Sequence, residues 1–109
     1  MTGPLVELLT FQGCPHGEPA LALAERVLAE TGVAATLRRV DIDGPAAAVE
    51  HQFLGSPTIR VNGVDIEPEA SDRREYVLAC RVYRTSEGVR GEPDERSLRD
   101  ALLAAAAST

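Results

Sequence analysis

The sequence has no lysine and no tryptophan, only two cysteines, and an aromatic share of 4%. With so few rings, the core has to be built from Leu, Val, Ile and Ala. A hydrophobic content of 44% over 109 residues supports one modest core, and hence one domain spanning residues 1–109. Two cysteines cannot make a structural disulfide framework. In a reducing compartment such a pair is more often redox-active or metal-binding. No apolar run approaches the roughly 20 residues of a membrane span. Positive charge is scarce: all 11 basic residues are arginine and the net charge is -6, which argues against nucleic acid and anionic membrane surfaces as partners. A Cys/His array at zinc spacing, a phosphate-binding glycine loop and a Ser/His/Asp set are also missing, so no resident metal and no cofactor are expected. The opening Met1-Thr2-Gly3-Pro4 lacks the basic region and cleavage site of a secretory peptide, and the expected location is cytoplasmic.

What is present is organised around one stretch, LVELLTFQGCPHGEP, from Leu5 to Pro19. Leu5 to Phe11 is apolar on both faces apart from Glu7 and Thr10, the pattern of a central strand covered on both sides. Leu21, Ala24, Val27 and Leu28 then repeat at helical spacing up to Thr31-Gly32. The helix start has two readings. Pro15 suits a first helical position, but Pro19 then falls four residues inside; alternatively the regular helix begins near Pro19 and Cys14 sits in the loop above it. Either way a strand delivers Cys14 to the mouth of a helix. The helix dipole and free backbone N–H groups favour a thiolate there.

Ala34 to Ile42 reads as a second strand, and the adjacent Arg38 and Arg39 suit a sheet edge. Asp43-Gly44-Pro45 opens a short helix with Ala46, Val49 and Phe53 on one side, ending before Gly55. Thr58–Val61 and Val64–Ile66 flank Asn62-Gly63, the strongest short-range hairpin signal, and the Asn-Gly pair is expected to serve only as a turn. Pro68 closes the hairpin. Residues 69–92 carry weaker patterns: a helical turn or two over 71–79, an extended piece over 80–83, and a loop marked by Gly88, Gly91 and Pro93. A last helix starts around Pro93-Asp94-Glu95 and buries Leu98, Ala101, Leu102 and Ala105, with fraying expected at its final residues. The predicted order is βαβαββα, an α/β fold with a four-stranded mixed sheet, three helices and an insertion after the last strand.

That order, with Cys-Pro after the first strand and Ser56-Pro57-Thr58 before the third, resembles the thioredoxin superfamily from Leu5 to Ala106. More narrowly, FQGCPHGEPAL, FLGSPTIRVNGVDIEP and CRVYR look like a family of small bacterial thioredoxin-like proteins, some of which carry selenocysteine in place of the first cysteine. The resemblance implies a cis bond at Ser56–Pro57, a proline loop packed beside Cys14, and Cys14 as the attacking thiol. The Cys-x-x-Cys motif is here Cys14-Pro15-His16-Gly17. Its second cysteine is missing, so dithiol exchange within one motif is impossible.

The candidate catalytic residues are therefore Cys14 and Cys80, and the candidate substrate-binding residues are Pro15, His16, Ser56, Pro57 and Thr58. Topology carries Cys80 toward the Cys14 end of the sheet, as a resolving thiol or as a core residue anchoring the insertion. His16 either supports the thiolate when protonated or is solvated. Arg73, Arg74, Arg81, Arg84 and Arg90 either hold a substrate carboxylate, such as that of glutathione, or form a solvated face paired with Asp72, Glu75 and Glu87; the second fits better. Tyr76 and Tyr83 wall the site or pack the insertion onto the sheet. The expected function is thiol-based redox chemistry on a small thiol or a protein disulfide. A two-thiolate site for mercury or copper and a non-catalytic binding module are the alternatives.

Overall fold

The strand Leu5–Thr10 (β1) lies inside a four-stranded mixed sheet because both of its faces are apolar. The computed structural model describes residues 3–107, without the side chains of Glu69 and Ser71, and the fraying expected at 108–109 lies outside it. The chain continues through α1 (Gly17–Thr31), β2 (Thr36–Asp41), α2 (Pro45–Glu50), β3 (Thr58–Val61) and β4 (Val64–Asp65). A 3-10 turn (Pro68–Asp72), β5 (Tyr83–Thr85), β6 (Gly88–Arg90) and α3 (Glu95–Ala107) complete it. The sheet order is β2-β1-β3-β4, with β1 parallel to β2 and antiparallel to β3.

Side chains alternate along β1, so its two faces feed two core clusters. Val6 and Leu8 join Ile59 and Val61 of β3 against Leu23 and Val27 of α1 and Leu98 and Leu102 of α3. Leu9 points the other way, to Ile42, Ala48 and Phe53 beside α2. Ala101 and Ala105, expected in the core, are packed against it but only partly buried. Glu7, the exception in the apolar strand, stands directly opposite Arg38 of β2 and pairs with it at 2.5 Å. That cross-strand pair accounts for a carboxylate in an interior strand and an arginine on the sheet edge.

The start of α1 follows the second sequence reading, a regular helix beginning near Pro19 with Cys14 in the loop above it. The helix begins at Gly17, so Pro15 lies outside it and Pro19 is its third residue. A helix leaves its first N–H groups without intrahelical partners, so a proline there costs no hydrogen bond. Gly32 ends the helix at φ 70, its N–H bonded to the Leu28 carbonyl at 3.0 Å. The Asn62-Gly63 turn has both residues at positive φ, 52 and 83. Asn62 is more than a turn residue, however: its side-chain Oδ1 accepts the Leu5 N–H at 2.9 Å and its own N–H reaches the Leu5 carbonyl.

Residues 69–92 depart most from expectation. The helical turns expected over 71–79 shrink to the 3-10 turn that starts at Pro68. Where a loop was expected, β5 and β6 pair as a second hairpin, with Gly88 at φ 102 beside its turn. Only Val89 in β6 is apolar, and it is exposed, so no alternation marks that strand in the sequence.

An ionic network joins α1 to α3. Glu95 accepts from Arg26 at 2.5 Å and from Arg99 at 2.8 Å, and Arg99 also reaches Glu30 at 2.6 Å. Hydrogen bonds from Arg99 first, then Arg26, hold the Glu95 carboxyl below the usual carboxylate range. A depressed carboxylate contributes stability above its unfolded pKa and loses it as the pH falls through the folded value. The wild-type melting temperature should therefore fall more than that of Glu95→Gln between about pH 5 and about pH 3, in thermal melts at low salt. Because the group is exposed, high salt should erase most of that difference.

Candidate functional site

Three segments meet at the end of the sheet where β1 finishes and β3 begins. The first is the turn after β1. The Cys14 N–H bonds back to the Phe11 carbonyl at 3.2 Å, and the Gly17 N–H bonds to the Cys14 carbonyl at 3.3 Å. These bonds fold the chain tightly, so that Cys14 sits three residues before α1, with His16 at the N-cap position. Cys14 is half-buried and its thiol is free. A cavity of about 390 Å³ opens beside it, lined by Phe11, Gln12, Gly13, Glu18, Arg39 and Asp41 among others.

The second segment is the loop of residues 55–58, with a cis peptide bond between Ser56 and Pro57. The third is the returning chain at residues 79–83, which clamps that loop. The Ser56 N–H donates to the Ala79 carbonyl at 2.8 Å, and the Arg81 N–H donates to the Ser56 carbonyl at 2.9 Å. Cys80 thus pairs with Ser56 as an isolated parallel bridge. The Tyr83 hydroxyl donates to the Pro57 carbonyl. The Thr58 hydroxyl donates to the Gly55 carbonyl at 2.6 Å and accepts from Arg81 at 2.9 Å. Gly55, at φ 120, is open to this approach; a Cβ there would stand 2.9 Å from the Arg81 Cβ. Ser56, Pro57 and Thr58, expected to contact substrate, are among the most deeply buried residues of the protein, each under 2% exposed. Among the described residues the Ser56 hydroxyl has no partner.

Arg81 corrects the sequence reading. The sequence pattern groups it with Arg73, Arg74, Arg84 and Arg90 on a solvated face, yet its side chain is 1% exposed. Its guanidinium grips Asp65 bidentately, at 2.8 and 3.2 Å, and Glu67 at 2.8 Å, and lies 4.4 Å from the Tyr83 ring centroid. Burial alone would lower its pKa; the hydrogen bonds it donates to Asp65 and Glu67, together with the charges of Tyr83 and Asp65, outweigh burial, and the net direction is upward. Asp65 and Glu67 belong to β4 and its exit, so the returning chain runs on the β4 side of β3, away from β1. Cys80 therefore lies beside Ser56 of this loop, and Cys14 lies in the turn after β1 at the same end of the sheet. Cys80 is free and exposed rather than a core anchor, with exposed Val77, Leu78 and Val82 near it in the chain. Tyr83 packs the insertion onto the sheet, whereas Tyr76 is only half-buried. Of the other arginines, Arg90 pairs with Glu87 and Arg73 with Glu67 and Glu75.

His16 remains partly exposed but is held in place by two contacts. Its Nδ1 bonds the Glu92 carboxylate, and Gly91 packs so closely on the ring that a Cβ there would stand 2.5 Å from it. His16 thereby ties the start of α1 to the chain leading into α3. Pro15 is exposed. Sequence reasoning missed Glu92, Asp65 and Glu67; the available signal was two carboxylates just after an Asn-Gly turn in a chain rich in arginine. Among the described residues no three His, Cys, Asp or Glu side chains converge as a metal site. No helix among them is long and apolar enough to cross a membrane. No protein-family model and no curated protein matches the chain.

Two variants test the clamp. Arg81→Met removes the cation that bridges Asp65 and Glu67, leaving Glu67 only its longer contact with Arg73, and should destabilise the protein by about 3 kcal/mol in urea unfolding. Arg81→Lys should recover little of this, because an ammonium cannot make the bidentate contact. Burial raises the Tyr83 phenol well above its ordinary range, offset in part by Arg81. Stability linked to that group is full below an unfolded tyrosine's pKa of about 10 and is lost as the pH rises above it. Tyr83→Phe should therefore cost about 1 kcal/mol at neutral pH from the lost hydrogen bond and show a shallower decline under alkaline conditions.

Proposed function

We propose that this chain is a thioredoxin-like thiol protein in which Cys14 is the nucleophile and Cys80 the resolving thiol. The observation that carries the reading is a free, half-buried thiol at Cys14, three residues before α1, with a second free thiol, Cys80, on the chain that pairs with Ser56 at the same end of the sheet. A sheet ordered β2-β1-β3-β4, a Cys-Pro between β1 and α1, and a proline immediately before β3 support the thioredoxin-like part of the reading. The cytoplasm, where thiols are kept reduced, is the compartment in which this chemistry fits.

The step is thiol–disulfide exchange. The Cys14 thiolate attacks one sulfur of a disulfide; the S–S bond breaks, the other sulfur leaves as a thiolate and takes a proton from solvent. The mixed disulfide on Cys14 is then attacked by the Cys80 thiolate, which releases the second thiol and leaves a Cys14–Cys80 bond. Two protein thiols are oxidised and one disulfide is reduced to two thiols.

Intact-mass analysis after exposure to 2-hydroxyethyl disulfide tests this. The wild type should lose two hydrogens and carry no adduct. Cys80→Ser should hold one adduct at Cys14, and Cys14→Ser should form no internal bond. A wild type in which only Cys80 is modified would defeat the proposal.

A further inference from the structure

We infer that residues 79–81 form a built-in strap that restricts the Cys14 site to small-molecule disulfides and excludes extended polypeptides. This rests on the thiol reading above and names the substrate class of that same site. An extended polypeptide docks on a sheet by pairing with backbone groups that are still free. At the loop before β3, at the Cys14 end of the sheet, those groups are taken. The Gly55 carbonyl accepts from the Thr58 hydroxyl, the Ser56 carbonyl from the Arg81 N–H, and the Pro57 carbonyl from the Tyr83 hydroxyl. The Ser56 N–H is also spent, on the Ala79 carbonyl.

The strap is fixed rather than draped. Arg81, the residue next to Cys80, is buried and held by Asp65, Glu67 and Thr58 at once. A polypeptide could pair with Ser56 only by pulling that guanidinium away from both carboxylates. The approach to Cys14 left open is the cavity on its other side, between the end of β1, the start of α1 and Arg39 of β2. Its volume of about 390 Å³ suits a small molecule, since such sites run from about 300 to 1,000 Å³.

The test compares two disulfides with similar leaving groups on the Cys80→Ser protein, so that only Cys14 reacts. One is 2-hydroxyethyl disulfide, neutral and therefore indifferent to the protein's net charge of -6. The other is a mixed disulfide of mercaptoethanol with a short unstructured peptide. Each rate is divided by its rate with free mercaptoethanol. Cys14 should prefer the small disulfide by about tenfold or more, and Arg81→Met in the same background should lose most of that preference. Equal normalised rates in the parent, or an undiminished preference in a folded Arg81→Met variant, would overturn the strap while leaving the thiol chemistry intact. No reaction of Cys14 with either compound would remove the thiol reading and the strap with it. Because the arginine variant can fail to fold, hydrogen exchange on the wild type gives an independent measure. The Ser56 and Arg81 amides should exchange only as slowly as global unfolding allows, and rapid exchange at either would refute a closed strap.

Discussion

A guanidinium sealed from water between two carboxylates is the constraint on which the rest of this structure depends. Arg81 cannot shed its proton, so burying it is costly unless its charge and most of its donors are met. Asp65 and Glu67 meet the charge, Thr58 takes a further donor, and the Tyr83 ring covers one face, while Nε has no partner among the described residues. Each contact has a second effect. Thr58 is locked onto Gly55, Tyr83 is aimed at Pro57, and the backbone of Arg81 is brought onto Ser56. Two sequence motifs separated by the 3-10 turn, one around Ser56-Pro57 and one around Cys80-Arg81, thereby become one physical object.

That object decides what the sulfur atoms can do. In isolation Cys14 is a half-buried thiol in a turn and Cys80 an exposed thiol on an irregular segment. Cys80 is tied to the Ser56 loop by its neighbours Ala79 and Arg81, and the clamp holds that loop in one position. The insertion after β4 is thus a structural partner of the proposed chemistry rather than an ornament on the sheet. His16 makes a similar link on the other flank, since its contacts with Glu92 and Gly91 fasten the Cys14 turn to the chain that leads into α3.

The sheet was legible because its information is local and periodic. Leu5–Thr10 announces itself by apolar residues on both faces, and Asn62-Gly63 by two positions that need positive φ. The edge position of β2 followed from Arg38 and Arg39. The clamp was not legible for the same reason in reverse. Arg81 reaches carboxylates 16 and 14 residues back, and Tyr83 reaches a carbonyl 26 residues back. No helical or strand period contains those separations. An arginine also reads as exposed unless its partners are known, so Arg81 was grouped with Arg73, Arg74, Arg84 and Arg90. The β5–β6 hairpin escaped because its apolar side chain, Val89, faces solvent. Ser56, Pro57 and Thr58 stood out in the sequence, but the burial that keeps them from solvent comes from residues that carry no pattern of their own.

The contact of Gly91 with the His16 ring bears on biosynthesis. Residue 16 leaves the ribosome long before residues 91 and 92, which are 75 and 76 positions later in the chain. Until they emerge, the imidazole lacks both of these contacts, although the backbone bonds of the Cys14 turn to Phe11 and Gly17 are already within reach. The turn can therefore form early in translation, whereas its fastening to the chain that leads into α3 has to wait for the last third.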